Sequence, residues 1–331
     1  MGLLGAVGAL AQERPLKDQT VTFTQYIETL TRPSTDSTRR LFLEGTRVRF
    51  DYGVDKPGMD AWWANGGHAL TSGPGLVNNY NVEFDPEFWL VVRDLTFEAG
   101  VGFVSCTGLK FLVKDCVFKQ GLRFTGNEIS FLVFENCRFE NGVKFDRNTV
   151  ADRVEFTNCT FSFAGETETS GFDRTSQTLL VSAKNDPLDL RLTGCRFLAP
   201  PAAATLPQYG IGLHNSSYTN LRLQGCTFDA PLDLSQSIVA NQFTLQQCTL
   251  GQGLYSNGLS INQLNALVDW GNLKDYRLRV RDPQSGRVWD GESAFGTANE
   301  TQYTLLASCY ANFYNTFKSQ GNRFAANAAY I

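Results

Sequence analysis

The sequence predicts a mainly β fold, a parallel β-helix in which short strands wind into stacked coils. Three observations support this prediction. A cysteine recurs along the chain at a nearly constant interval, as at Cys116, Cys137 and Cys159. Apolar and polar residues alternate before each cysteine, which is the period of a strand with one buried face. A turn-forming Asp, Asn or Gly usually comes directly before the cysteine, where the chain must bend.

The repeat is clearest in residues 134–161, where Phe-Glu-Asn-Cys-Arg-Phe at 134–139 returns as Phe-Thr-Asn-Cys-Thr-Phe at 156–161. Along the chain, the marked position falls at Leu95, Cys116, Cys137, Cys159, Cys195, Cys226 and Cys248. The steps between these positions are nearly equal, except that the steps ending at Cys195 and Cys226 are clearly longer. We expect these two long steps to contain insertions, at 164–187 and 199–217.

Three or four short strands in about 21–22 residues fit one coil of a β-helix, whose equivalent positions stack about 4.8 Å apart. We therefore predict that the six cysteines form a buried column of free thiols at a tight corner. Stacked disulfides would need strained dihedral angles, and no Cys-x-x-Cys pair or histidine cluster suggests a metal site. A second predicted column fills the wider core and contains Phe118, Phe139, Phe161, Phe197 and Phe228.

The flanks of the repeat domain, residues 91–260, differ from it in pattern. Residues 12–90 predict an irregular capping region, in which 40–50 reads as a strand pair or a first coil. A Gly-rich loop there contains Trp62 and Trp63, which either cap the open end of the stack or form a patch for a sugar or a partner.

Residues 261–331 predict a C-terminal cap. A capped helix is expected to start within 260–270, and alternation around Asp-Pro-x-x-Gly predicts a hairpin over 275–291. A helix over 299–320 should end at Gly321 and be followed by a second short helix. The pair either caps the stack or offers a groove to a partner.

The composition limits the partners that can be expected. The net charge of −4 argues against nucleic acid as a partner, because proteins bind its phosphates through a basic surface. The chain has two histidines, which leaves little room for histidine catalysis or a zinc site. Residues 1–11 read like the apolar part of a signal peptide without its basic start, or else like an apolar segment that packs on the fold. No apolar run approaches the roughly 20 residues that span a bilayer.

The phrase Phe-x-Asn-Cys-x-Phe-x-x-Gly-Val-x-Phe resembles the degenerate pentapeptide-repeat proteins of bacteria. That resemblance implies a right-handed quadrilateral β-helix, a solenoid, although the strict Ala-(Asp/Asn)-Leu form is absent. Residues 310–330 are similar to the helix–Gly–helix segment that follows the repeats in pentapeptide-repeat membrane proteins. The resemblance covers residues 90–256 and 300–331, and it implies association with a membrane or with other protein chains.

We found no column of acids such as β-helix enzymes use on polysaccharides. The predicted insertion at 164–187 contains Glu166, Glu168, Asp173 and Arg174, which fit a solvated loop or, as the alternative, paired carboxylates for glycosidase chemistry. The sequence therefore predicts a non-enzymatic scaffold or protein-interaction module without cofactor or metal, in a bacterial envelope or at the cytoplasmic face of a membrane. The alternative is a carbohydrate-binding or polysaccharide-active β-helix that uses the 164–187 and 199–217 loops. The predicted interaction residues are Tyr310, Phe313, Phe317, Tyr330, Trp62 and Trp63, for a protein partner or self-association.

Overall fold

The fold is known from a computed structural model of the 331-residue chain. The structure describes residues 16–31, 40–51, 53–55, 70–72, 76–87, 89–98, 100–162, 177–183, 186–199, 210–269, 271, 278–281, 288–290 and 300–329. Residues 1–11, Trp62, Trp63 and Tyr330 lie outside these ranges. Most described residues belong to short strands that pair in parallel in three long sheets, with a small helical part at the C-terminal end.

Among the described residues, sheet 1 has twelve strands. Each one pairs with the sheet 1 strand that follows it in the sequence, and strands of the other sheets lie between them in the chain, except in the last pair. All pairs are parallel except the last, which is an antiparallel hairpin. The strands are Leu16–Lys17, Arg40–Glu44, Leu76–Tyr80, Gly100–Val104, Leu122–Thr125, Val143–Asp146, Gln177–Ser182, Gly210–Gly212, Leu232–Asp233, Leu254–Tyr255, Leu278–Arg281 and Val288–Asp290. The predicted irregular region 12–90 thus already contributes strands to the stack.

Sheet 2 is parallel and has nine strands. They are Leu90–Arg93, Leu109–Lys114, Glu128–Glu135, Thr149–Thr157, Leu188–Thr193, Ser217–Gln224, Ile238–Gln246, Ser260–Ile261 and Ala266–Val268. The last two strands both pair with Ile238–Gln246. Within 260–270, where a helix was expected to start, the described residues 260–268 therefore form two short strands around one 3-10 turn, Gln263–Asn265, which Asn262 caps.

Sheet 3 is also parallel and has eight strands. They are Leu70–Ser72, Leu95–Phe97, Val117–Phe118, Arg138–Phe139, Thr160–Phe161, Arg196–Phe197, Thr227–Phe228 and Thr249–Leu250. A further three-stranded sheet near the N-terminal end contains Thr20–Thr22, Arg47–Arg49 and Glu83–Phe84. From Leu90 to Tyr255 the chain visits sheets 2, 3 and 1 in turn, which is compatible with a β-helix. We call one such passage a coil.

Left-handed residues mark two of the corners in most coils. Between sheets 2 and 3, the residue before the marked position has φ between 52° and 63° in seven successive coils. These residues are Asp94, Asp115, Asn136, Asn158, Gly194, Gly225 and Gln247. Because Asp, Asn and Gly adopt this conformation at low cost, the turn-formers seen in the sequence have a direct conformational reason. A similar set marks the corner between sheets 1 and 2: Asn81, Ser105, Gly126, Arg147, Asn215, Gln236 and Gly258.

Aromatic columns fill the interior of the stack. Phe97, Phe118, Phe139, Phe161, Phe197 and Phe228 stack in order, with ring centroids 4.5–5.1 Å apart. A second column on sheet 1 contains Phe103, Phe124 and Phe145, with centroids 5.0 and 4.9 Å apart. All of these rings are buried, so each phenylalanine contributes about 1.5–3 kcal/mol of hydrophobic stabilisation.

Helices pack against both ends of the stack. At the N-terminal end, Phe23–Thr31 buries Tyr26, whose hydroxyl donates to Asn79 Oδ1 at 3.1 Å. At the C-terminal end, the helix Glu300–Ser319 contacts the 3-10 turn and the last strands of sheet 1. It is followed by Gly321, with φ +72°, and by the helix Arg323–Ala329. Terminal strands left uncovered would be open to edge pairing, so these helices act as caps.

Candidate functional site

The cysteine corner, between sheets 2 and 3, contains the six predicted column cysteines. All of them are buried, and all eight cysteines of the chain are free thiols. Each column thiol lies within 3.1–3.8 Å of two carbonyl oxygens, one two residues earlier and one in the preceding coil. For Cys137 Sγ these are Glu135 O at 3.3 Å and Val113 O at 3.5 Å. The thiols thus lie within hydrogen-bonding distance of carbonyl groups near the ends of the sheet 2 strands.

The chemical state of these thiols follows from their position. Burial raises the pKa of Cys159, in the middle of the column, because a thiolate there would be desolvated. Reactive cysteines are exposed to solvent, and all six column thiols are buried. Within the described residues, no group of three or more His, Cys, Asp or Glu could hold a metal ion. The column is a packing and hydrogen-bonding element.

A second column of small polar side chains, which the sequence pattern did not predict, lines the asparagine–serine corner between sheets 1 and 2. Its polar members are Cys106, Asn127, Asn148, Ser216 and Ser237. Asn127 Nδ2 donates to Phe103 O at 3.0 Å, and Ser216 Oγ donates to Val181 O at the same distance. Cys106 Sγ makes the matching contact with Asn79 O at 3.3 Å. Cysteine, asparagine and serine therefore satisfy equivalent carbonyls at this corner.

The insertion corner, between sheets 3 and 1, is where both long steps of the repeat leave the stack. In ordinary coils it is a short turn such as the one from Phe118 to Leu122, with Gly121 at φ +93°. One insertion begins after Phe161 and ends before Gln177, and the other begins after Phe197 and ends before Gly210. The two insertions are thus narrower than 164–187 and 199–217, because strands Gln177–Ser182 and Gly210–Gly212 belong to sheet 1. They leave from the same corner of adjacent coils.

The outer face of sheet 2 presents a polar cluster, formed by Arg153, Glu155, Asp189, Arg191, Asn220 and Arg222. Arg191 holds Asp189 with two hydrogen bonds, Nε to Oδ1 at 2.8 Å and Nη2 to Oδ2 at 3.1 Å. Asn220 Nδ2 donates to Asp189 Oδ2 at 2.6 Å. Burial would raise the pKa of Asp189, but these hydrogen bonds and the charges of Arg191 and Arg222 hold it below its ordinary value. The carboxylate is therefore a paired, ionised group at neutral pH.

An aromatic pair lies on the outer face of sheet 2, nearer its N-terminal end. Trp89 is 49% exposed, and its ring centroid is 4.2 Å from that of Phe131 in an edge-on arrangement. Phe131 is paired in register with Lys110 and Arg153 on the neighbouring strands. An exposed indole ring fixed by a second ring is a surface on which a flat apolar partner group can stack.

His214, Asp233 and Ser235 form the one His–Asp–Ser group that the described residues bring together. His214 Nδ1 lies 3.5 Å from Asp233 Oδ2, and Ser235 Oγ donates to Asp233 Oδ1 at 2.6 Å. The serine hydroxyl therefore points its proton at the carboxylate instead of the imidazole. A nucleophilic serine needs an adjacent base that accepts its proton, and this arrangement lacks that contact.

The predicted interaction residues of the C-terminal helix have different environments. Phe313 and Phe317 are buried within the chain, 0% and 1% exposed, and they hold the helix on the end of the stack. Tyr310 is half-buried and packs against the same core. The two phenylalanines are thus not available to a partner in this structure, which corresponds to the capping alternative. The helices in the described part of the chain are too short or too polar to span a bilayer.

Comparison with known proteins gives no relative. No protein-family model matches the sequence, and no curated protein or solved structure matches it. The resemblance to pentapeptide-repeat proteins thus rests on the repeated motif, and the structure adds a mainly β chain of parallel strands in stacked sheets.

Proposed function

We propose that the chain is a right-handed β-helix of the pentapeptide-repeat kind, which works as a non-enzymatic scaffold or protein-interaction module in a bacterial envelope or membrane-associated assembly. The register of the sheets supports the fold, since Val117, Arg138 and Thr160 of successive coils are aligned one above the other. Columns of equivalent residues are what a solenoid of stacked coils produces.

The insertion corner is the observation on which the functional proposal depends. Two adjacent coils extend their chains there, after Phe161 and after Phe197, whereas other coils close the same corner with short turns. Insertions on one side of a solenoid commonly form its binding face. The two insertions together are therefore the proposed partner-binding surface, which we call the insertion face.

The base of the insertion face is well packed, which suits recognition. Phe161 and Phe197 stack with centroids 4.5 Å apart, and both rings are fully buried. Thr160 and Arg196 are paired in register on the same two strands. Loops that start from adjacent, fixed strands keep a defined spacing, so a partner can read both at once.

Deletion of residues 166–176 tests this function. The full chain, immobilised, should capture a protein from the native membrane fraction, and the deletion should abolish capture without lowering the melting temperature by more than a few degrees. The matched control replaces the hairpin connection 282–287 with Asn-Gly, which shortens a different connection on sheet 1 and should leave capture unchanged. Unchanged capture by the 166–176 deletion would refute the insertion face, and a chain that unfolds on deletion would show that the segment is core.

Carbohydrate binding is the second candidate function, and the Trp89–Phe131 pair favours it. An exposed indole that packs edge-on against a second ring is a surface suited to the apolar face of a sugar ring. Polysaccharide pull-down with wild type and Trp89→Ala tests this candidate. Retention by the wild type that is lost in the variant would support it, and equal retention would exclude this pair as the sugar site.

A further inference from the structure

The C-terminal end of the stack exposes large apolar side chains that the insertion face does not involve. Phe324 is 85% exposed, Leu264 is 74% exposed and Leu267 is 45% exposed. Gln320 Nε2 donates to Gln263 O at 2.9 Å and also to Ala266 O, so the end of the long helix lies against residues 263–266. Phe324 follows Gln320 closely in the chain, just after the turn at Gly321. The three side chains therefore belong to the same end of the molecule, which we call the C-terminal tip.

The exposure of Phe324 is a consequence of how its helix packs. In Arg323–Ala329 the buried residues are Ala325, Ala326 and Ala329, which face the core. Arg323, Phe324 and Asn327 are exposed on the other side. The helix thus docks through its alanines and presents its one large apolar residue outward, where it stabilises nothing within the chain.

The charge at the C-terminal tip is opposite in sign to that of the whole chain. Residues 301–331 contain Lys318 and Arg323 and no Asp or Glu, and residues 251–268 contain no charged residue, although the chain carries a net charge of −4. Lys318 and Arg323 are both exposed. The next carboxylate along the chain, Asp269, lies at the cysteine corner, where it accepts a hydrogen bond from Gln247 N at 2.6 Å. The tip is therefore locally basic as well as apolar.

We propose that the C-terminal tip binds the surface of an anionic lipid bilayer, with Phe324, Leu264 and Leu267 in the headgroup–acyl boundary. Lys318 and Arg323 would contact anionic headgroups. Amphipathic surfaces that combine protruding apolar residues with Lys or Arg bind membranes in this way. Two basic residues and three apolar ones make a weak, salt-dependent contact with the membrane. This contact orients the stack of coils on the membrane surface. The inference adds a second surface to the proposed scaffold and does not depend on the insertion face.

Vesicle flotation with the full chain tests the proposal. The wild type should float with vesicles of phosphatidylcholine containing about a quarter phosphatidylglycerol, and both high salt and pure phosphatidylcholine should reduce flotation. Leu264→Ser combined with Phe324→Ser should weaken binding by roughly tenfold or more, since burying one such side chain contributes at least that factor. Tyr303→Ser is the matched control, because Tyr303 is 53% exposed at the other end of the long helix.

Three outcomes would overturn this proposal. The wild type does not float with anionic vesicles, or the double variant floats as the wild type does. The third is that the wild type forms a dimer in solution and the double variant does not. The last result would assign the tip to a second copy of the chain. Melting temperatures of all variants should match the wild type, because none of the three substituted side chains is buried. If the wild type does not float but still captures its protein partner, the lipid contact is rejected and the proposal for the insertion face is unaffected.

Discussion

Phe139 and Phe161 stack with ring centroids 4.9 Å apart and planes 20° from parallel, although they belong to successive coils of the chain. Phe139 also makes edge contacts with Phe134 and Phe156, at 5.6 and 5.8 Å. Phe139 thus fills the space between the stacked rings of the neighbouring coils and two edge-on rings from sheet 2. The stack can keep this packing only if equivalent positions of successive coils stay aligned.

The first prediction concerns this packing. Phe139→Ala should lower the free energy of unfolding by about 3–5 kcal/mol, because it leaves a cavity between rings that cannot collapse. Phe228→Leu is the matched control, since Leu250 already occupies the column position of the next coil, and it should cost about 1.5 kcal/mol or less. Urea denaturation of both variants measures the difference. A cost for Phe139→Ala no larger than that of the control would contradict the aromatic column.

The cysteine corner gives the second prediction. Ser216 and Ser237 donate to carbonyls at the asparagine–serine corner as the column thiols do at theirs, so Cys137→Ser keeps the donor in place. We expect that variant to lie within about 1 kcal/mol of wild type, whereas Cys137→Val removes the thiol donor beside Val113 O and Glu135 O and should be less stable than the serine variant by about 0.5–1.5 kcal/mol. Thermal unfolding decides the order, and a valine variant more stable than the serine variant would show that the thiol acts only as filler.

The third prediction concerns thiol reactivity. Native protein near neutral pH should show almost no reactive thiol, and denatured protein should show all eight, by titration with a disulfide reagent. Burial raises the pKa of Cys106 to about 12, so the folded state keeps a proton that the unfolded state releases above the ordinary thiol pKa of about 8.5. Stability should therefore fall as the pH rises between those two values. Disulfide-linked peptides between column cysteines would contradict this picture.

Much of the stack was predictable because its constraints repeat. The regular step between cysteines and the alternation before each of them follow from the need to fill the same space in every coil. The residues before Cys116, Cys137 and Cys195 are Asp, Asn and Gly, and all three have a left-handed backbone. Because these residue types favour that conformation, the sequence alone indicates the corner. The hairpin of Leu278–Arg281 and Val288–Asp290 was predictable from its alternating apolar and polar residues. The helix Glu300–Ser319 was predictable from apolar residues at helical spacing.

The asparagine–serine corner was not predictable in this way. Its left-handed residues include Ser105, Arg147 and Gln236, none of which is a typical turn-former. The side chains that satisfy its carbonyls vary among Cys, Asn and Ser because any small donor fits, so no single residue type recurs. Its one signal in the sequence is a small polar residue at the spacing of the cysteines, as at Asn127 and Asn148.

The polar cluster on sheet 2 supplies the fourth prediction. Asp189→Asn should destabilise the protein by about 1–3 kcal/mol at neutral pH, because it leaves Arg191 half-buried without its carboxylate. The lowered pKa of Asp189 means that the wild-type contribution is present above the unfolded value of about 3.9 and is lost as the pH falls through the folded value. The two proteins should therefore converge in stability in acid. A difference that stays constant down to the acid transition would show that the effect is not ionic.

The most direct test of the proposed function is amide hydrogen exchange of the chain alone and with its captured protein partner. Protection on binding should fall on the two segments between Phe161 and Gln177 and between Phe197 and Gly210, with the outer face of sheet 2 unchanged. Protection confined to sheet 2 or to the C-terminal helices, with both insertions exchanging as in the free chain, would contradict the assignment of the insertion face.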